Sequence, residues 1–96
     1  MLFLALFTDD PAHAETRVRL MAEHLAFLER NSSRIRAAGP LRDAGAPAGG
    51  LWLVEADGAA AVMRLVQEDL FWPTGLRQSV RILQWSQVFA DGRRLL

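Results

Sequence analysis

The sequence contains no cysteine, which excludes disulfides, thiolate catalysis and the common cysteine-ligated zinc sites and leaves stability to packing alone. That usage suits the cytoplasm. An excess of either charge is missing as well: 11 basic residues balance 11 acidic ones, so no long-range field draws in nucleic acid or an anionic membrane surface. Long hydrophobic runs are absent, and nothing approaches the ~20 residues of a transmembrane helix. The run Leu2 to Phe7, with Ala12, His13 and Ala14 after it, imitates a secretory signal and its cleavage site. It is too short for an h-region, no lysine or arginine precedes it, and Asp9 and Asp10 follow, so no signal peptide is expected. There is no glycine-rich phosphate loop and no serine nucleophile elbow. His13 and His24 would lie about 16 Å apart along one helix, too far to share a metal within a subunit. No cofactor and no metal is expected.

What is present is apolar. Hydrophobic residues make up 51% of the 96 positions and charged ones 23%, enough for one domain spanning residues 1–96 and more than a small monomeric core readily absorbs. A homodimer interface is the expected outlet for the surplus.

Leu2 to Phe7 is uninterruptedly apolar, as a strand buried on both faces reads. Asp10 suits a helix N-cap with Pro11 at the first helical position, and a helix is predicted from there to about Ser32. Its wheel places Val18, Met21, Ala22, Leu25 and Leu28 on the stripe facing the sheet, Leu20 and Phe27 on a second ridge, and Arg19, Glu23 and Arg30 in water. Arg34 to Ala38 alternates as an exposed edge strand does, with Ile35 and Ala37 on one side and the arginines on the other. Gly39 and Pro40 close it, and Arg42 to Gly50 is expected to be a flexible loop. Leu51 to Ala56 is apolar on both sides, with Trp52 and Val54 opposite Leu51 and Leu53. Asp57 is expected to cap a second helix from about Gly58 to Asp69, with the stripe Ala59, Val62, Met63, Val66 and Leu70. A turn over Phe71 to Leu76 leads to a last strand from Gln78 to Phe89, and the tail from Asp91 carries no clear signal.

The order is βαββαβ, and right-handed crossovers make this an α+β, ferredoxin-like domain: a four-stranded antiparallel sheet, both helices on one face, the first and third strands central. The bare face needs a cover, which a second copy of the sheet would supply. RNA-binding domains share this element order, but their third strand carries a basic residue and exposed aromatics where this chain reads Leu51, Trp52, Leu53, Val54, Glu55. Neither a nucleic acid nor a membrane is an expected partner.

Two polar residues stand on apolar helix flanks. His24 lies between the core stripe and the Leu20/Phe27 ridge, where a histidine either bonds a backbone carbonyl or transfers protons beside a cleft. Asp69 sits at a helix C-terminus, which disfavours a carboxylate and calls for a compensating partner. It either bonds the following turn or faces an imidazole, and each residue left unpaired would carry a desolvation cost of about 1–3 kcal/mol. Mutual satisfaction, by a hydrogen bond made directly or through one water, is the economical arrangement. Trp72 follows Asp69 closely enough to wall a pocket.

Four segments together resemble the YciI (YCII-related) family: Arg17 and His24 leading into Leu25, Ala26, Phe27 and Leu28; the Ala38, Gly39, Pro40 turn; the strand Leu51 to Ala56; and Asp69, Phe71, Gly75, Leu76. The family's later signature has a proline where this chain has Leu70, and many members carry a second arginine where it has Met21. The resemblance implies a dimeric α+β barrel with an active site centred on His24 and Asp69, and its wider circle takes in muconolactone isomerase-like proteins and a dehydrochlorinase of a chlorinated hydroxyquinol. An enzyme of small-molecule metabolism follows, with His24 as general acid or base, Asp69 as its orienting carboxylate, Arg17 as an anion contact, and Phe71 or Trp72 as pocket wall. The alternative is a non-catalytic ligand-binding or regulatory module, since fold does not fix function.

Overall fold

The computed structural model describes residues 1–96. Strand β1 (Leu2–Asp9) leads through a 3-10 turn (Pro11–His13) into helices α1 (Ala14–Arg19) and α2 (Met21–Arg30), followed by β2 (Ile35–Asp43), β3 (Ala46–Glu55), α3 (Ala59–Glu68) and β4 (Arg77–Trp85). A separate two-stranded hairpin, β5 (Phe89–Ala90) and β6 (Arg93–Arg94), ends the chain. The main sheet runs β2-β3-β1-β4 with every pair antiparallel, so β1 and β3 are central. No helix is long and apolar enough to cross a membrane.

The core lies between the helices and one sheet face. Phe3, Ala5 and Phe7 of β1 and Trp52 and Val54 of β3 point into it and meet Phe27 of α2 and Val62, Leu65 and Val66 of α3. The period of two that separates Trp52 and Val54 from Leu51 and Leu53 in the sequence is the separation of the two sheet faces. On the other face Leu4 lies between Leu53 and Leu83, Leu6 beside Leu51, and Leu2 beside Trp85. Leu83 and Trp85 stay exposed there.

The first helix departs from expectation. Asp10 caps only the 3-10 turn ahead of it, its side chain accepting from the Ala12 N–H at 3.0 Å with Pro11 in the turn; α1 itself starts after His13 with no side-chain cap, and the chain then breaks at Leu20, whose backbone (φ −103°, ψ 10°) is not helical. The inward line is Thr16, His24 and Phe27, whereas Val18 is 79% exposed and Leu25 50%. Counting apolar residues selected the wrong phase because polar Thr16 and His24 share the inner line. Helix α3 also differs: Gly58, not Asp57, is its N-cap and no side chain bonds it. The helix ends at Glu68 and Asp69 turns extended (ψ 137°), so the wheel no longer applies at Leu70, which is exposed.

Arg42 to Gly50 is not a loose loop. The β2–β3 ladder continues to Asp43 and Ala46, closed by Ala44 and Gly45, both at positive φ (48° and 85°), as a tight two-residue hairpin turn requires. Gly39 and Pro40 lie within β2, and an irregularity between Ile35 and Ala37 puts Ile35 toward the core and Ala37 beside Leu53 on the bare face, not on one side together. The last strand stops at Trp85 instead of Phe89, and Asp91 and Gly92 (φ 53° and 75°) form a second hairpin turn.

Gly49 (φ +99°) lets β3 close on β1: a Cβ there would stand 1.9 Å from the Phe7 carbonyl oxygen. Gly49→Ala is expected to destabilise the domain well beyond the ~1 kcal/mol of an average substitution, read as a fall in the urea midpoint.

Candidate active site

His24 reaches the site from the second turn of α2, and Asp69 reaches it because α3 ends one residue earlier. Both are buried, at 5% and 2% exposure. The His24 Nδ1 lies 3.0 Å from Asp69 Oδ1 and 2.9 Å from Oδ2, so the pair contact expected from the sequence is made directly. The Phe71 backbone N–H approaches the same Oδ1 at 3.5 Å, and the Trp72 N–H donates to the Asp69 carbonyl at 3.0 Å, which fixes the turn carrying the carboxylate. Beneath the imidazole lies Phe71, fully buried and stacked on it with centroids 4.2 Å apart and planes at 18°.

An ionised carboxylate only accepts, so Nδ1 carries the hydrogen and the neutral ring has its lone pair on Nε2. That nitrogen is left for a ligand, and His24 lines a cavity of about 110 Å³ together with Arg17, Met21, Pro40, Trp52 and Arg77. A larger cavity of about 410 Å³, walled by Leu41, Pro47 and Leu76, shares Arg17, Met21 and Pro40 with it. The two form one cleft between α1–α2 and the β2–β3 arm. An open depression of about 500 Å³ beside Met1, Arg34, Glu55 and Arg64, at the far end of β1, contains none of these groups.

A charged cluster adjoins the imidazole. Arg17 pairs with Asp9 Oδ2, and Arg77 Nη1 donates to Asp9 Oδ1 at 2.9 Å. Arg77 is 7% exposed, and burial lowers its guanidinium from the usual arginine value, with the charge and hydrogen bond of Asp9 opposing. Its carbon stands 4.1 Å from the Phe7 centroid and 5.2 Å from that of Phe71, and the Arg17 guanidinium is 5.4 Å from Phe71. Phe71 thus supports the imidazole and both guanidinium groups from below.

Of the residues singled out in the sequence, His24, Asp69 and Arg17 gather here. Phe71 is a floor under the imidazole and does not line the cavity, and Trp72 is turned away to pack against the core. The turn after Asp69 sends residue 71 inward and residue 72 to the other side, so the aromatic wall is Trp52 instead. Asp9, Trp52 and Arg77 escaped sequence reasoning. Past Phe7/Val80 and Thr8/Ser79 a regular ladder would pair Asp9 with Gln78, but an irregularity pairs it with Arg77, and no local residue preference announces that shift.

Asp69→Asn is expected to free the imidazole from one tautomer, because an amide can donate to Nδ1 as well as accept from it. Nitrogen-15 spectra of the neutral ring would show Nδ1–H in the parent protein and a mixture in the variant.

A solved structure closely similar to this chain is the 5-chloro-2-hydroxyhydroquinone dehydrochlorinase of Burkholderia phenoliruptrix AC1100 in complex with 2,5-dihydroxybenzoquinone. It superposes with a TM-score of 0.77 at 29% identity, covering 90% of this chain and 94% of that one. No curated protein sequence matches the chain. The model of the YCII-related domain matches residues 1–86, from β1 through β4 and so through every residue of the cleft, and the chain belongs to the YCII-related domain family.

Proposed function

We propose that the protein is an enzyme that moves protons on a small cyclic or aromatic substrate, with His24 as general base and acid and Asp69 as the carboxylate that orients it. The observation that carries this is a buried imidazole bonded through Nδ1 to the Asp69 carboxylate, on a residue that lines a cavity. Nε2 takes a proton from a hydroxyl or from a carbon beside a carbonyl. In the second case the C–H electron pair enters a carbon–carbon double bond and the carbonyl oxygen takes the charge. Return of the proton to another carbon gives an isomer, and departure of a leaving group with its bonding pair gives an elimination. The imidazolium formed meanwhile is stabilised by the Asp69 carboxylate. The activity named for the dehydrochlorinase is an elimination of this second kind, which supports the reading.

Arg17, which lines both cavities, contacts an anionic part of the substrate in this proposal, and Phe71 keeps the imidazole in plane. Trp72 acts only through the turn it anchors. The bare leucine face of the sheet supports assembly as a homodimer.

The experiment is turnover of lactones, chlorinated hydroxyquinols and enolisable ketones, followed by proton NMR in deuterium oxide. Deuterium entering the carbon beside the carbonyl, isomer formation or chloride release is the expected result. Saturable binding with none of these across the panel would instead establish a ligand-binding module.

A further inference from the structure

Arg77 is the charged side chain that the proton-transfer scheme leaves unused. Asp9 is the only acceptor the chain gives it, through Nη1 at 2.9 Å. Its Nε is buried with no partner, and a guanidinium carries more donors than one shared carboxylate can take. Arg17 claims the other oxygen of that same carboxylate, so two cations share one anion. Asp69 is hydrogen-bonded to His24 and makes no bond to Arg77. The cleft therefore holds a guanidinium with unfilled donors, on a side chain that lines the His24 cavity and is itself more than nine-tenths buried.

The position is also constructed. The Arg77 guanidinium carbon stands 4.1 Å from the Phe7 ring centroid, and β3 passes it at a glycine: a Cβ on Gly50 would lie 3.1 Å from Nη1 and 3.8 Å from Cζ. An arginine kept rigid, desolvated and short of acceptors is suited to receiving an oxyanion in fixed geometry.

We propose that Arg77 is the oxyanion donor of this cavity: it binds the substrate oxygen that carries negative charge beside His24, so that the site selects ionisable enols, phenols and hydroxyquinones over their neutral ethers. This rests on the proton-transfer reading of the same cavity. When Nε2 removes a proton from carbon, the electron pair left behind ends on the carbonyl oxygen. Arg77 receives that charge with a donor already in place. Where the substrate enters already ionised, the same contact fixes which carbon faces Nε2.

The test is calorimetric binding of 2,5-dihydroxybenzoquinone, whose hydroxyls ionise as vinylogous acids, against its dimethyl ether, which cannot ionise. The parent protein is expected to prefer the anion. Arg77→Met is expected to weaken anion binding about 10- to 100-fold, the loss of a charge-assisted hydrogen bond, and to change ether binding less than about 3-fold. Gly50→Ala keeps the charge but displaces the guanidinium, and is expected to weaken anion binding in the same direction by several-fold. Should Arg77→Met fail to fold, Gly50→Ala decides alone. Equal anion preference in parent and variants, or a parent that does not prefer the anion, overturns the proposal. Because binding is read without turnover, an inert protein that selects the anion through Arg77 would fail the proposed function only. An active one whose selectivity ignores Arg77 would fail this inference only.

Discussion

Replacing His24 by Gln is expected to lower kcat about 10²- to 10⁴-fold, the range that a positioned acid–base group contributes, with a much smaller change in KM. Glutamine can still donate its amide N–H toward Asp69 and fill most of the space over Phe71, so the burial of the carboxylate is not left uncompensated. It has no lone pair that accepts a proton near neutral pH. Steady-state kinetics on whichever substrate the panel yields would measure the loss, and circular dichroism would show that the fold is kept. A variant that retains a tenth or more of parental kcat would remove His24 from the chemistry and leave its bond to Asp69 as packing.

The second large effect concerns the bare sheet face. Leu53 stands there between Leu4 of β1 and Ala37 of β2, with Leu83 and Trp85 further along. Light scattering at micromolar concentration is expected to give twice the chain mass for the parent protein. Leu53→Asp puts a charge in the middle of the leucines and is expected to raise the dimer dissociation constant about 30-fold or more, as loss of a central interface anchor does. The substitution should leave the monomer folded, because Leu53 faces away from the core that Trp52 and Val54 fill. A parent protein that scatters as a monomer would sink the proposed assembly.

The sheet was legible from the sequence because burial on two faces and burial on one leave different marks. Leu2 to Phe7 and Leu51 to Ala56 carry no polar residue on either side until Glu55, and they are the central strands. Helix phase was less legible. A helix that lends part of its inner line to a site buries Thr16 and His24 and leaves Val18 in water, so the apolar count points the wrong way. Neither hairpin turn was read: Asp91 and Gly92 lay in a tail without a clear apolar pattern on either side of them, and Ala44 and Gly45 lay in a segment rich enough in glycine and proline to read as coil. Half of the site was visible as polar residues on apolar flanks, His24 and Asp69. The other half, Asp9 with Arg77, depends on a one-residue slip between β1 and β4, which belongs to the ladder as a whole and to neither residue.

The cleft takes Asp9 from β1, His24 from α2, Trp52 from β3, Asp69 from the end of α3 and Arg77 from β4. No fragment of the chain holds it, and no partly opened form that loses one of these elements can bind what the whole domain binds. Ligand affinity is therefore linked to global unfolding and not to a local event. A ligand present at a hundred times its dissociation constant adds about 2.7 kcal/mol to the native state alone. In a domain this small that corresponds to a rise of about 10 °C or more in melting temperature. Melting curves recorded across a library of small acids, lactones and phenols would thus report the substrate class before any reaction has been seen.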